Sequence, residues 1–313
     1  MSDEGFDRDP AEGESGGRLL DGKPTNGEED RGRPASLWRD AWRQLRKSPM
    51  FIISSLLIIV FLVMSFFPTL FTHADPYACD LAHSLEGPSA QHIFGYDLQG
   101  CDYYARTIYG ARISIFIGVV VTAAAVVIAV VLGSIAGFYG KALDAIIARV
   151  TDVWFAIPFI LGAIVVLSLL GSKGFFEVAL VLTILGWPTM LRLLRSTVLS
   201  VKEQDYVDAA RALGASDFRI ITRHILPNAI APVIVYATIT VGAVIAAEAS
   251  LSFLGVGIQL PAISWGLMIT VAQNYILEHP YLLLFPGAFL SAAVFSFILM
   301  GDALRDAIDP KLR

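Results

Sequence analysis

The distribution of apolar and polar positions divides the chain into long uncharged runs separated by charged segments. Residues 50–71 and 113–138 contain no Asp, Glu, Lys or Arg. At about 1.5 Å of rise per residue, either run is long enough as a helix to cross a hydrocarbon core of roughly 30 Å. Shorter runs predict four further spans at about 153–171, 178–192, 228–247 and 281–301, of which the fourth span of the chain is the shortest. The pattern predicts an all-α integral membrane protein with six transmembrane helices.

One further uncharged stretch, at 249–277, is not predicted to be a seventh span. Gly255, Gly257, Pro261 and Gly266 interrupt it, and residues of these types break helices or weaken them. We expect an extramembrane or re-entrant segment there. Pro158 and Pro188, inside the third and fourth predicted spans, are expected to produce local kinks rather than a binding site.

Composition agrees with a protein embedded in a bilayer. Apolar residues make up 55% of the chain, charged residues 16%, and the mean hydropathy is +0.64, whereas a soluble domain carries about 25% charge. Residues 1–36 are rich in Gly, Asp, Glu and Pro and are predicted to be a disordered cytoplasmic tail. Residues 37–49 follow, with Trp and Arg at helical spacing. They predict either an interfacial amphipathic helix or an ordinary solvated lead-in to the first span.

A segment of the tail imitates a nucleotide-binding loop. Residues 17–23 match most of a P-loop, but Pro24 occupies the position that needs Ser or Thr to bind Mg²⁺. No strand is predicted before the segment and no helix after it. We therefore expect the match to be accidental and this segment not to be a nucleotide site.

The distribution of Lys and Arg predicts the orientation in the membrane. Most of them fall in the tails and in the segments 139–150 and 192–227, whereas the opposite face carries only Arg106, Arg112 and Lys173. Cytoplasmic segments carry the excess of Lys and Arg. Both termini are therefore predicted to be cytoplasmic, with an extracytoplasmic loop at 72–112, a membrane core with five spans at 113–302 and a cytoplasmic tail at 303–313.

The two cysteines, Cys79 and Cys101, both fall in the predicted outer loop. They do not form a Cys-x-x-Cys pair, which argues against a structural zinc site. On the oxidising side of a membrane they could form a disulfide, contributing roughly 3 kcal/mol in the chain-entropy model, or remain as two thiols.

The cytoplasmic loop at 201–228 carries the most informative pattern. It predicts a first helix over about 203–213, with Tyr206, Ala210 and Leu213 on one stripe, and a second helix that starts after Ser216 and ends at Pro227. Gly214 stands where a helix C-terminus favours a residue that tolerates positive φ. A slim helix of this kind either inserts into a groove of another protein or packs against the cytoplasmic ends of its own bundle.

This loop resembles the EAA loop of bacterial ABC importer permeases. The consensus is Glu-Ala-Ala, three residues, Gly, nine residues, then Ile-x-Leu-Pro, and the chain has Asp208-Ala209-Ala210, Gly214 and Leu226-Pro227 at the same spacing. Asp208 replaces Glu and keeps the charge, while His224 replaces the Ile. The coupling residues that the resemblance implies are Tyr206, Asp208, Ala209, Ala210, Arg211, Gly214, Leu226 and Pro227.

Four further segments resemble the C-type subunit of the peptide/nickel permease family. They are residues 92–102, 108–114, 247–266 and 301–310, so that the resemblance covers roughly 40–313. The outer-loop motif of that family usually reads Gly-Arg-Asp, and here Cys101 replaces the Arg. That substitution creates the second cysteine and favours the disulfide between Cys79 and Cys101.

The resemblance implies the type I importer (MetI-like) fold and a transport function for di- or oligopeptides. It implies that the chain binds no cofactor directly and that partner ATPase subunits use ATP and Mg²⁺. The implied partners are a second, homologous permease, two ATPase subunits, an extracytoplasmic peptide-binding protein and membrane lipid, without nucleic acid. The implied location is the bacterial cell membrane.

Alternative functions remain open at the level of the sequence. Nickel or another small solute could be the cargo. An ion-gradient-driven transporter would be expected to carry acidic residues at midspan, but the predicted spans are nearly free of charge. A membrane enzyme would need clustered catalytic groups, whereas the five histidines are scattered. Glu248, which borders the fifth span, either contributes to a substrate path or lies at the outer interface with water or backbone partners.

Overall fold

The computed structural model describes residues 42–171 and 173–308. The regular secondary structure in these ranges consists of helices. The predicted tail at 1–36, the P-loop-like segment and residues 37–41 lie outside the described residues. Residues 42–45 are helical, and the Arg46 guanidinium lies 4.9 Å from the centre of the Trp42 ring. The interfacial position of this segment stays a prediction.

Five helices in the described residues are long and apolar enough to cross a membrane. They are α1 (Pro49–Phe66), α2 (Tyr103–Tyr139), α5 (Phe175–Lys202), α8 (Ala231–Phe253) and α10 (Tyr281–Ile308). A sixth span is present if α3 (Lys141–Phe155) and α4 (Phe159–Leu169) count together. The shorter helices are α6 (Asp205–Ala212), α7 (residues 217–229) and α9 (Trp265–Ala272). The predicted all-α membrane fold is confirmed.

The first two spans differ from their predicted bounds on the outer side. Helix α1 ends at Phe66 rather than at residue 71, because Pro68 starts a separate 3-10 turn. Helix α2 begins at Tyr103 rather than at residue 113, so the outer loop is shorter than predicted. The charge of Arg112 set the predicted start, but its Nε donates a 3.1 Å hydrogen bond to the carbonyl of Ser65. With that partner, the exposed arginine is compatible with a position within the long helix α2.

The third predicted span, 153–171, is wrong as a single helix. Helix α3 ends at Phe155, α4 begins at Phe159, and the two axes differ by 84°. Pro158 lies at this break, where its missing N–H and its ring prevent the helix from continuing. Pro188, in contrast, lies inside the unbroken α5.

The fourth span was predicted to be the shortest, and this is also wrong, because α5 is 28 residues long. The prediction ended the span at Arg192 and Arg195, yet both lie inside α5. Helix α3 supplies their partners: Asp152 Oδ1 lies 2.5 Å from Arg192 Nη2, and Asp144 pairs with Arg195. These ion pairs join α3 to α5 and let α5 continue to Lys202.

The last two spans also run further than predicted. Helix α8 ends at Phe253 rather than at residue 247, so Glu248 lies inside it. Helix α10 continues to Ile308, so the predicted tail from 303 is helical as far as the structure describes it. Between them, α9 has eight residues and a length of about 12 Å. It is too short to cross the membrane, in agreement with the predicted absence of a seventh span.

Buried apolar clusters join the helices at several levels. Trp265 of α9 is fully buried and packs edge-on against Phe61 of α1 at a centroid distance of 5.7 Å. Close packing between α8 and α10 depends on Gly301, where a Cβ would lie 2.3 Å from the Ile239 side chain. Small residues of this kind let membrane helices approach each other. Another cluster joins α5 to the loop described next.

Candidate functional site

The loop between α5 and α8 folds as two short helices joined by a turn at Gly214. Helix α6 spans Asp205–Ala212, close to the predicted 203–213. It ends because Gly214 has φ +80°, and the Gly214 and Ala215 amides donate to the carbonyls of Arg211 and Ala210. A glycine at this position reverses the chain without the strain that a Cβ would add. The sequence therefore predicts this turn correctly.

Helix α6 has one buried face and one exposed face. Val207 is fully buried and Ala210 nearly so, whereas 43% of Tyr206 and 88% of Leu213 are exposed. The predicted stripe of Tyr206, Ala210 and Leu213 is therefore wrong as a single surface, because Ala210 faces the bundle. Val207 was not singled out in the sequence, although its apolar side chain one turn before Ala210 is the signal for the buried face.

The buried face of α6 belongs to an apolar cluster with the C-terminal part of α5 and with α7. Val207 and Ala210 belong to one cluster with Leu194 and Val198 of α5 and Ile220 of α7. The cluster leaves the other side of α6 without a partner in the described residues. Packing against its own bundle therefore applies to the buried face, and insertion of the exposed face into another protein stays a prediction.

Helix α7 is continuous in path but changes its winding. Regular helix at Asp217–Ile220 passes through a π turn at Ile221–Ile225 and resumes at Leu226–Ala229. Pro227 does not end the helix as predicted. It lies in the first turn after the π turn, where a missing N–H is tolerated.

Ser216 is the N-cap of α7 in an extended conformation, although no side-chain capping hydrogen bond forms. Leu226 is half-buried and Pro227 is exposed. The Thr197 hydroxyl of α5 donates to the Ala229 carbonyl at 3.1 Å. The end of α7 is therefore attached directly to α5.

The exposed side of the loop combines apolar side chains with one surface ion pair. Leu213 and Phe218 are 88% and 76% exposed, and Phe218 gave no signal in the sequence motif. Arg211 Nη1 lies 2.9 Å from Asp208 Oδ1, at i,i+3 spacing on α6. Partial burial raises the pKa of Tyr206 above its ordinary value, so its phenol stays protonated and can donate a hydrogen bond. The loop thus presents an apolar surface next to paired charges.

Glu248 lies far along the chain from this loop, in a buried network near the other end of α8. It is fully buried, and its Oε1 accepts hydrogen bonds from Ser252 at 2.7 Å and from Ser264 at 3.1 Å. Oε2 is buried without a hydrogen-bond partner. The partners of Glu248 are therefore serine side chains rather than the water or backbone groups considered for the outer interface, and its depth in the membrane stays a prediction.

The two serines extend this network into the segment between α8 and α10, which is predicted to be extramembrane or re-entrant. Ser252 Oγ accepts from the Ile258 amide, and Ser264 Oγ accepts from the Leu267 amide as the N-cap of α9. A Cβ on Gly257 would lie 2.4 Å from Ser252, so the loop packs directly on α8. The sequence marks Glu248 by its charge but gives no signal that these serines are its partners.

The outer loop is held by a covalent link and a buried ion pair. Cys79 and Cys101 are joined by a disulfide, and Cys101 is fully buried. Next to it, Arg106 Nη1 of α2 lies 2.5 Å from Asp97 Oδ2, and both side chains are about 10% exposed. This pair was missed in the sequence, although Arg106 was one of the few cations assigned to the outer face. In the described residues, no group of three or more His, Cys, Asp or Glu side chains could hold a metal ion.

Two family models match the chain. The model described as "Binding-protein-dependent transport system inner membrane component" matches residues 129–313, which is more than half of the chain. The model described as "N-terminal TM domain of oligopeptide transport permease C" matches residues 36–88. The two matches together include the loop at 201–228 and every span except the first 26 of the 37 residues of α2.

Curated relatives match over nearly the whole chain. The dipeptide transport system permease protein DppC of Alkalihalophilus pseudofirmus is 39% identical over 286 residues, which cover 91% of this chain and 93% of that protein. The oligopeptide transport system permease protein OppC of Bacillus subtilis is 40% identical over 278 residues, which cover 89% and 91%.

A solved structure supports the fold independently. A chain of the structure titled "Inward facing conformations of the MetNI methionine ABC transporter" superposes with a TM-score of 0.53 at 20% identity, covering 65% of this chain and 96% of that one. This likeness concerns the fold alone, which is that of MetI-type ABC importer permeases. Together with the matches in sequence, it shows that the chain belongs to the family of binding-protein-dependent transport system inner membrane components.

Proposed function

We propose that this chain is a permease subunit of an ATP-driven importer of di- or oligopeptides. Support for the substrate class comes from relatives at about 40% identity that are named as dipeptide and oligopeptide permeases. Support for the mode of energy coupling comes from the loop at 201–228, which has the spacing of an EAA loop. The single observation that carries the mechanism is the exposed apolar side of α6 and α7.

The exposed side chains of this loop are suited to bind an ATPase subunit. Tyr206, Leu213 and Phe218 lie beyond the spans, where lipid does not cover them, and exposed apolar groups of this kind mark protein interaction surfaces. The neighbouring Asp208–Arg211 pair supplies a polar edge, as in most protein interfaces. An ATPase subunit that covers this surface would bury the apolar side chains.

The buried side of the same loop is suited to transmit movement. Val207, Ala210 and Ile220 belong to one buried cluster with Leu194 and Val198 of α5. Because close-packed side chains transmit displacement instead of absorbing it, a shift of α6 would move the cytoplasmic end of α5 with it. Closure of an ATPase dimer on ATP would in this way switch the spans between inward-facing and outward-facing states.

The other subunits of the transporter follow from this role. ATP and Mg²⁺ bind to the two ATPase subunits, a homologous permease completes the membrane pore, and an extracytoplasmic binding protein delivers the peptide. Both termini lie in the cytoplasm, on the same side as the coupling loop. This orientation is supported by the excess of Lys and Arg in the segments on that side.

The coupling role is tested by truncating the exposed side chains. Leu213→Ala and Phe218→Ala are each expected to lower the amount of ATPase subunit that co-purifies with the chain in mild detergent about tenfold, since one well-buried contact of about 1.4 kcal/mol corresponds to that factor. Peptide uptake by cells should fall in parallel, because less of the chain carries its ATPase.

Leu277→Ala is the matched control, because Leu277 is 95% exposed and lies on the outer side. It should leave both the co-purified ATPase and the uptake unchanged. Normal ATPase recovery with both loop variants would contradict the coupling role.

A further inference from the structure

A cavity of about 230 Å³ lies at the outer end of the bundle, under the disulfide-linked loop. Its wall is formed by the outer loop, the first turn of α2, the re-entrant segment with α9, and the start of α10. Most of the lining side chains are apolar, and the largest of them are Leu98, Leu260, Ile263, Leu267, Met268 and Leu282. The cavity is therefore an apolar space that opens beside water-exposed loops.

One end of the cavity is polar and well ordered. Arg106 lines it, with its Nη1 on Asp97 at 2.5 Å and on Gln99 at 3.3 Å. The Arg106 Nε is buried and lacks a hydrogen-bond partner. The charge of Arg106 is thus neutralised by Asp97.

The size of the cavity limits what can enter. Sites for drug-sized ligands have volumes of about 300–1,000 Å³, and this cavity of about 230 Å³ is smaller. Its lining is mostly apolar and Asp97 already neutralises Arg106, so it offers no partner for the charged termini of a free dipeptide. A single large apolar side chain fits the volume. The occupant is therefore a side chain that belongs to a larger molecule.

The loops around the cavity are acidic. Exposed carboxylates lie on segments that adjoin the lining residues. The backbone amide of Asp80 donates a hydrogen bond to the Gly100 carbonyl. The backbone carbonyl of Glu86 accepts one from the Tyr281 hydroxyl, and the Glu86 carboxylate lies 3.0 Å from His83. Glu278 lies between α9 and α10 and is also exposed. No Lys or Arg occurs between residues 73 and 105. A protein that binds here would have to present basic groups.

We propose that this cavity is a socket for an apolar side chain of the extracytoplasmic peptide-binding protein, with Lys or Arg residues flanking that side chain. The inference rests on the proposed import function, which supplies a partner on the outer face. The apolar volume determines the central side chain of the partner, and the acidic surroundings determine the charge around it. Charge complementarity of this kind steers association, while a buried central contact slows dissociation.

The test places a large side chain in the cavity by substituting a residue at its edge. Val271 lines the cavity and is 38% exposed, so Val271→Trp can occupy the space without replacing a core residue. The permease complex, with its second permease and ATPase subunits, is reconstituted in nanodiscs, and the affinity for the purified binding protein is measured. Val271→Trp is expected to weaken binding at least tenfold, with the recovery of ATPase subunits and the basal ATPase rate unchanged.

Leu277→Trp serves as the matched control, because it adds the same ring to an exposed position that is not among the lining residues. It should bind like the wild type. A second variant, Asp80→Lys with Glu278→Lys, changes only exposed carboxylates and should weaken binding and reduce its dependence on salt.

Two outcomes separate this inference from the proposed function. Unchanged affinity in both Val271→Trp and the charge-reversed variant would overturn the socket, and it would also be the result if a lipid chain filled the cavity. A wild-type complex that contains no ATPase subunit would instead contradict the import function itself.

Discussion

Glu248 shows how much one buried residue depends on partners that the sequence does not reveal. Its carboxyl group accepts hydrogen bonds from two serine hydroxyl groups. Each serine oxygen also accepts a hydrogen bond from a backbone amide between α8 and α10. Because nearly the whole group is enclosed by α8, α9 and the loop between them, we assign it a positioning role. A substrate contact would require an open path to it.

The role of Glu248 is tested by two substitutions of different chemistry. Glu248→Gln keeps an oxygen that accepts from Ser252 and Ser264, so uptake and the Tm of the purified complex are expected to stay near wild type. Glu248→Leu leaves both hydroxyl groups buried without their acceptor, which costs about 1–3 kcal/mol for each group. The Tm of the purified complex, measured by intrinsic fluorescence, should therefore fall clearly for the Leu variant.

The same pair of variants can contradict this assignment. Loss of uptake in Glu248→Gln at a wild-type Tm would mean that the negative charge itself acts on the substrate. The carboxylate would then belong to the substrate path, and the serine network would be secondary.

At the scale of elements, the loop at 201–228 is predicted more accurately than the spans beside it. Gly214 and the helix before it follow from local rules on helix ends. The end of α5 and the break before α4 depend on contacts between distant segments. Arg192 and Arg195 indicated the edge of the membrane in the sequence, but Asp152 and Asp144 on α3 pair with them inside a longer helix.

The turn between α6 and α7 gives a prediction at this scale. Gly214 has φ +80°, a value that Asn tolerates and that proline, fixed near −65°, cannot adopt. Gly214→Asn is therefore expected to keep most of the uptake. Gly214→Pro should abolish uptake, because the two helices can no longer take their relative positions.

Both variants should reach the membrane in normal amounts, which immunoblotting of membrane fractions checks. This control matters because a chain that fails to insert would also lose uptake. Full uptake in Gly214→Pro would show that the geometry of the turn has no part in coupling.

At the scale of the whole molecule, fold class and family follow from sequence alone, but the detailed surfaces do not. Long uncharged runs predict the spans, and the EAA-like spacing predicts the coupling loop. Which face of α6 is buried could not be predicted without the positions of α5 and α7. Val207 and Tyr206 are both apolar enough to lie on the buried or the exposed face. The buried Asp97–Arg106 pair likewise appears only when the outer loop folds over α2.

The central claim is that the exposed face of α6 binds a separate ATPase, and site-directed crosslinking tests it most directly. Ala209 is exposed and Ala210 is buried at adjacent positions, so Ala209→Cys and Ala210→Cys form a matched pair. The two native cysteines are joined in a disulfide and leave no competing thiol in the described residues. In membranes from cells with intact uptake, a thiol-to-amine crosslinker should capture the ATPase subunit strongly from Ala209→Cys and weakly from Ala210→Cys. Capture of no ATPase from Ala209→Cys would contradict the account.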